Sequence, residues 1–333
     1  MHRTYLIVVS LLLCSTAHAA DPDPRITARD GWVIFDPTKD GFAYRYGPSI
    51  IVNPDGKIDA WFASPGGKGV DNSDQWDWIR HRSSTDGGHT WSAEKVVLKP
   101  TPGSRDQQSD CDPGVIRIND WYYLGFTAVE DPKGMCNEVF IARSHSPTGP
   151  FDKWDGSKWG GSPQPILPFR KPTDVWGLGE PSFVLLDKTL FIYYTQNTRD
   201  QHGHKLERTR VATAPGDADD WPAHITQKRI AFERVKGEDS ADVKYDEISK
   251  RFLAVTTADR MSPEAHVNAR WSSDGFTFGE PTKVEGPVMT RCHNIGIAVR
   301  LEGICCPMAT TLSPMPTATE PARIPVGRFG TRI

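Results

Sequence analysis

Four short stretches place reactive side chains at the head of an apolar run. They are Asp112 in DCDPGV, Glu180 in GEPSFV, Asp242 in ADVKY, and His293-Asn294 in HNIGIAV. Two carboxyl groups on either side of a glycosidic bond are enough to cleave it. One donates a proton to the leaving oxygen, and the other activates water or attacks the sugar carbon; their separation decides between inversion and retention. That chemistry requires residues far apart in sequence to meet at one point.

The elements that would bring them together form a repeat. Its copies are GPSIIVNPDGKIDAWFAS from Gly47, DPGVIRINDWYYLGFTA from Asp112, EPSFVLLDKTLFIYYT from Glu180 and ADVKYDEISKRFLAVTTA from Ala241, with a partial copy from His293. Each copy reads as a strand, a tight turn and a second strand, and a second hairpin follows it. Asp55-Gly56 and Asp86-Gly87 are turns in which glycine takes positive φ at little cost. Four strands per unit make one propeller blade. The chain is therefore expected to be all-β, a five-bladed β-propeller with an incomplete last blade. The early strand WVIF (Trp32–Phe35) would pair with the last blade, so that no sheet edge stays open. In such a ring the N-terminal ends of the innermost strands converge at one mouth.

The chain has 333 residues, a formal net charge of −3 and 38% hydrophobic residues, with 11 Trp, 29 Gly and 27 Pro. This balance gives no reason to expect nucleic acid or a membrane surface as a partner. Residues 1–20 read as a secretory signal peptide: His2 and Arg3, an apolar run from Tyr5 to Leu13, then Ala17-His18-Ala19. A secreted or periplasmic location follows, and with it a compartment that permits disulfides. Cys111 and Cys136 could form a bridge or stay as separate buried thiols. Residues 21–303 are assigned to the propeller and 304–333 to an irregular Pro/Thr-rich tail. Read one nucleotide out of frame from near Glu302, codon degeneracy allows that tail to spell a strand, a turn and a Trp-rich strand. The tail is thus a candidate frameshifted last blade, in which Cys305 and Cys306 would be artefacts.

The stretches DPGVIRINDWYYLGFTA, ARSHSPTGPF and GEPSFVLLDKTLFIYYT resemble the blades of the five-bladed propeller glycosidases. That superfamily includes glycoside hydrolase family 43 (arabinanases, arabinofuranosidases and xylosidases) and the related invertases. The resemblance implies a carbohydrate substrate, Glu180 as general acid and Asp112 as the residue that orients it and tunes its pKa. It also implies a general base on the first blade, where this sequence departs: Tyr44-Arg45-Tyr46-Gly47-Pro48 has no Asp at the head. Asp40 and Asp36 lie just upstream, and Asp40 is taken as the candidate base. No cofactor is required, but a central ion is common in the family, so His293 is a candidate ligand to a structural calcium.

Candidate sugar contacts are Trp176 in DVWGLGEP, Asp242, Arg45, and Trp78 and Arg80 on the stretch PGGKGVDNSDQWDWIRHR, read as a loop at the mouth. SSTDGGHTWS (Ser83–Ser92) resembles the Asp-box of sialidases and other propellers, and SSDGFTF (Ser272–Phe278) is a degenerate copy. These suggest a second reading, a sialidase-like enzyme with Arg45, Arg143 and Arg291 clamping a carboxylate. The missing first-blade carboxylate suggests a third, a non-catalytic carbohydrate-binding propeller.

Overall fold

The computed structural model describes residues 44–67, 70, 71, 73–88, 90–235 and 237–284. It also describes backbone strands at 26–29, 292–300, 303–311 and 328–331, with the side chains of 293–298. Trp32–Phe35, Asp36, Asp40, Arg291 and residues 1–20 lie outside the described residues.

Strand β1 (Ile26–Arg29) precedes four antiparallel sheets, each made of four consecutive strands. The first holds β2 (Tyr46–Val52), β3 (Ile58–Pro65), β4 (Asp77–Ser84) and β5 (Lys95–Leu98). The second holds β6 (Ser109–Ile118), β7 (Trp121–Val129), β8 (Glu138–Ser144) and β9 (Asp152–Lys153). The third holds β10 (Asp174–Leu186), β11 (Thr189–Arg199), β12 (Lys205–Pro215) and β13 (Thr226–Glu233). The fourth holds β14 (Ala241–Asp246), β15 (Arg251–Ala258), β16 (His266–Ser272) and β17 (Thr282–Lys283). A two-stranded sheet of β18 (Cys292–Arg300) and β19 (Gly303–Thr311) follows, and β20 (Arg328–Thr331) pairs with β1. Four sheets are four-stranded, and the last described sheet of this series has two strands. One expectation changes here. Gly303–Thr311 is a strand rather than irregular, because it supplies backbone partners that the inner strand β18 needs.

The sheets are arranged as a β-propeller, and apolar side chains fill every gap between neighbours. Trp61 and Ile79 meet Leu124, Phe126 and Phe140 between the first and second sheets. Tyr123, Ile141 and Trp154 meet Phe183, Tyr194 and Trp221 between the second and third. Phe191 and Tyr193 meet Phe252 and Phe278. Leu253 and Trp271 meet Ile295 and Ile297, and Ala298 packs on Ile50 and Phe62 of the first sheet. Sheets covered on both faces lose the apolar–polar alternation of a half-exposed strand, so every residue of β3 is buried.

Polar side chains and glycines join the inner strands near the channel. Ser49 Oγ accepts the Val115 N–H at 2.8 Å, Ser182 Oγ accepts the Val243 N–H at 2.9 Å, and Asp242 Oδ2 accepts the Ile297 N–H at 2.8 Å. The same position is Gly114 in the second sheet and Gly296 in β18. A Cβ on Gly114 would lie 1.9 Å from the Pro181 carbonyl oxygen, and one on Gly296 2.2 Å from that of Pro48. There the backbones themselves touch.

The two Ser-x-Asp turns lie at the far end of the channel. Strand β4 runs away from the mouth, so the turn after Ser84 closes the opposite side. Asp86 accepts from Ser84 Oγ at 2.7 Å and the Thr90 N–H at 2.9 Å, and Trp91 packs against the Ile50 cluster. Asp274 does the same after β16, accepting the Phe276 and Thr277 N–H groups.

The glycine seam gives a stability test. Gly114→Ala places a methyl group against backbone that cannot rotate away. It should cost about 1–3 kcal/mol or more by overpacking, read as a lower midpoint in thermal or urea unfolding. An unchanged midpoint would show that the second and third sheets are not in contact at this point.

Candidate active site at the channel mouth

At the head of β2, β6 and β10 the chain makes the same local bend. Gly47, Asp112 and Glu180 all have positive φ (+58°, +47° and +55°), and each is followed by a proline. The strand register slips there in all three sheets, between Tyr46 and Ser49, Cys111 and Gly114, and Gly179 and Ser182. Proline is tolerated because a bulge needs no N–H from it. A left-handed backbone at a residue other than glycine costs of order 1–3 kcal/mol, and such strain clusters at functional sites. These heads, with Ser240, Asp242 and Asn294, line one pocket in the channel.

Glu180 is held by one oxygen only. Its Oε2 accepts from Thr195 Oγ1 and, at 3.1 Å, from Arg234 Nη2, while the backbone N–H of Glu180 donates to Thr127 Oγ1 at 2.7 Å. Oε1 has no hydrogen-bond partner among the described residues, and Glu180 lines the pocket. Burial and the charge of Asp239 push the Glu180 carboxyl up, against the pull of Arg234, Thr195 and Arg260. Asp112 is pushed well up by burial and then by the neighbouring Glu180; its one hydrogen bond, from the Cys111 thiol at 3.3 Å, pulls the other way. Both carboxyls are pushed toward their protonated forms, the direction a general acid requires.

Asp239 has the opposite character. Its Oδ2 lies 2.6 Å from Arg260 Nη1 and 3.0 Å from His293 Nε2, and its Oδ1 lies 3.9 Å from Arg234 Nη1. Burial raises its pKa, but His293, Arg260 and Arg234 outweigh burial and hold it below the usual carboxylate range. It is fixed from behind by Glu238, which is fully buried. Glu238 takes two 2.8 Å bonds from Arg270 and others from Thr256 Oγ1, Asn268 Nδ2 and the Val235 N–H. In the second sheet Lys153 bridges Asp106 and Asp110 just before Asp112, and ties the start of β6 to the 99–106 loop.

Asp77 lies at the mouth end of β4, opposite Pro65. Tyr44 Oη donates to its Oδ1 at 2.6 Å; Tyr46 Oη and Ser109 Oγ donate to Oδ2 at 2.9 and 3.1 Å. Burial raises its pKa more than the three hydroxyls lower it. The ring of Tyr46 lies 5.6 Å from that of His293, so Asp77, Tyr46, His293 and Asp239 form one continuous wall.

Several expected contacts are elsewhere. Arg45 is buried and forks onto Glu94 through two 2.8 Å bonds. Trp78 is buried; its ring packs on Gly66 and its Nε1–H donates to Gln75 at 2.9 Å. Arg80 donates to Ser64 Oγ at 2.7 Å within the sheet. Asp77–Ser84 is a strand and not a loop, so these side chains are spent on sheet packing. Arg143 is held by Asp219, with its guanidinium 4.1 Å from the Trp121 ring and 4.5 Å from Trp159. Arg45 and Arg143 therefore form no clamp at the mouth. Asp242, by contrast, does line the pocket, where it is bonded to Ser182, Lys244 and the Ile297 N–H as a stitch in the channel wall. Trp176 is half-buried, and a Cβ on the adjacent Gly179 would come within 2.8 Å of its ring, one residue from Glu180. Cys111 and Cys136 are free thiols.

A central calcium does not fit these residues. Hard cations need several converging oxygens, and among the described residues no three His, Cys, Asp or Glu side chains come together as a metal cage. His293 Nε2 is engaged by Asp239 and Arg260, and Arg234 and Arg260 already supply positive charge.

No family model matches the chain, and no curated protein matches it either. Solved structures do. A family 117 glycoside hydrolase of the marine bacterium Zobellia galactanivorans superposes with a TM-score of 0.63 at 16% identity, over 92% of this chain and 90% of that one. An α-L-arabinofuranosidase of Podospora anserina, solved with cellotriose, gives 0.60 at 11% identity, over 92% and 97%. An α-L-arabinofuranosidase of Lactobacillus brevis gives 0.56 at 13% identity, over 88% and 92%. The chain shares the β-propeller fold of these glycoside hydrolases.

The raised carboxyls make a pH-dependent prediction. Asp112 gains no penalty below about pH 4, the ordinary carboxylate range. As pH rises toward its raised folded value, keeping it folded costs increasingly more. Asp112→Asn should therefore raise the melting temperature at pH 7 by about 2 °C or more, and the gap should close near pH 4. An equal effect at both pH values would mean that Asp112 ionises normally.

Proposed function

We propose that the protein is a secreted glycoside hydrolase that removes a pentofuranose or pentopyranose unit from plant or algal oligo- or polysaccharides. The observation that carries this reading is the matched pair of left-handed heads. Asp112 and Glu180 project from equivalent bends on adjacent inner strands, both resisting ionisation, into one pocket. Glu180 acts as the general acid through Oε1, while Thr195 and Arg234 fix its other oxygen. Burial and the nearby charge of Asp239 favour the protonated form of Glu180. Trp176, beside Glu180, offers an aromatic face for the sugar ring. The arabinofuranosidase neighbours support the sugar class. No cofactor is needed.

The reading includes a five-bladed ring. β18 and β19 occupy the fifth sector, and the pairing of β1 with β20 supports closure by the N-terminal segment. Restoring the alternative frame after Glu302 would supply that sector's remaining strands; sequencing the codons of residues 300–306 decides between the frames.

A panel of aryl glycosides and polysaccharides tests the activity. Release of one sugar by the parent, reduced about 10²–10⁴-fold in Glu180→Gln, supports the assignment. Intact sugar binding without release from any substrate would make the protein a binding propeller, the reading that Gly47 at the first head favours.

A further inference from the structure

Strand β15 runs antiparallel to β14 and so ends at the mouth, where the next turn carries Arg260. The residues on either side of it, Asp259 and Met261, both have positive φ (+48° and +63°). Neither is glycine, and such strain persists only where the surrounding structure over-determines it. Arg260 Nη1 lies 2.6 Å from Asp239 Oδ2 and 3.1 Å from His293 Nε2. Asp239 and His293 immediately precede Ser240 and Asn294, which line the pocket. One nitrogen thus pins the guanidinium beside the opening. Its Nε and Nη2 have no hydrogen-bond partner among the described residues, and the side chain is 46% exposed.

A second donor stands on the same seam. Asn197 is two residues from Thr195 on β11, so its side chain takes the same face, toward the fourth sheet. It is 6% exposed, and its amide makes no hydrogen bond among the described residues. A buried amide without a partner has to be completed by a ligand atom or a water. Asn197 pairs across the strands with Glu207, whose carbonyl accepts the Arg234 N–H at 3.1 Å. Arg234 Nη1 lies 3.9 Å from Asp239 Oδ1, so the seam runs unbroken from Asn197 through Arg234 and Asp239 to Arg260. The carboxylates along it have cations of their own: Glu207 has Lys205 at 2.6 Å, and Asp259 has His266 at 3.7 Å.

Resting on the carbohydrate reading of this mouth, we propose that Arg260 and Asn197 form an anion subsite, and that the saccharide carries a carboxylate or sulfate ester near the bond to be cleaved. The free Nε and Nη2 of Arg260 form a fork that matches two oxygens of either group, and the Asn197 amide donates to one of them. Arg234, buried behind, adds positive charge without contact. A neutral saccharide leaves these donors unpaired, and a site built to hydrogen-bond one group rejects the analogue that lacks it. The substrate class is therefore a pentose-bearing acidic polysaccharide rather than a neutral one.

Titration calorimetry on the full chain tests this with matched pairs: oligogalacturonate against its methyl ester, and a sulfated galactan oligosaccharide against its desulfated form. In at least one pair the anionic member should bind about tenfold or more tightly, and which pair does so separates carboxylate from sulfate. Arg260→Gln and Asn197→Ala should each remove most of that ratio and leave affinity for the neutral member nearly unchanged, whereas a purely structural role would weaken both members alike. Arg260→Lys, which keeps the charge without the fork, should retain part of the ratio. Equal affinity within both pairs would overturn the proposal, and so would a ratio that survives both Arg260→Gln and Asn197→Ala. If Arg260→Gln does not fold, Asn197→Ala and Arg260→Lys decide by the same ratio. Turnover or binding of a neutral pentoside without any anionic preference removes this subsite alone. No binding of any saccharide removes the carbohydrate reading with it.

Discussion

Everything at the mouth depends on one backbone constraint, the left-handed bend at the head of the inner strands. It shifts the register by a bulge, places a proline where the ladder needs no donor, and turns the head side chain into the channel. The energy stored there is small beside the packing between sheets, but it is spent at Asp112 and Glu180, where geometry matters for proton transfer. In the first sheet glycine takes the bend without strain and leaves space that the side chain of Asp112 fills.

The supporting structure is arranged to hold charges in unlike states. Lys153, Asp106 and Asp110 anchor the approach to Asp112. Glu238 and Arg270 form a buried bidentate pair beneath Asp239. Removing either partner of such a pair leaves an uncompensated buried charge, which is far costlier than the pair is stabilising. These networks act as rigid mounts behind the mouth. They favour the ionised form of Asp239 close to carboxyls that burial pushes toward the protonated form.

Much of this was legible in the sequence, because the heads recur in phase with the strands. Asp112-Pro113 and Glu180-Pro181 announce their own positions, and the repeat that contains them defines the propeller. The fourth head is Ser240 by register, and Asp242, two residues on, lines the same pocket; Asp239, just before Ser240, carries the charge that faces Arg260 and His293. Asp77, Thr195, Arg234 and Arg260 were not found, since they come from the mouth ends of other strands, where no repeat marks them. The dipeptide pattern around Trp76 and Trp78 looked like a loop. Asp77–Arg82 carries no period-two alternation, since its two apolar residues, Trp78 and Ile79, are neighbours, so the usual strand signal is missing.

The seams between inner strands are not equivalent. Three are closed by a side-chain oxygen of Ser49, Ser182 or Asp242, and two by bare backbone at Gly114 and Gly296. At a glycine seam the spacing of neighbouring strands is already at its minimum, and no substitution can shorten it. At the serine and aspartate seams the spacing is set by a replaceable side chain. The bore of the channel can therefore be retuned on only part of its circumference, and divergence in substrate size among proteins built this way would be written on those three walls.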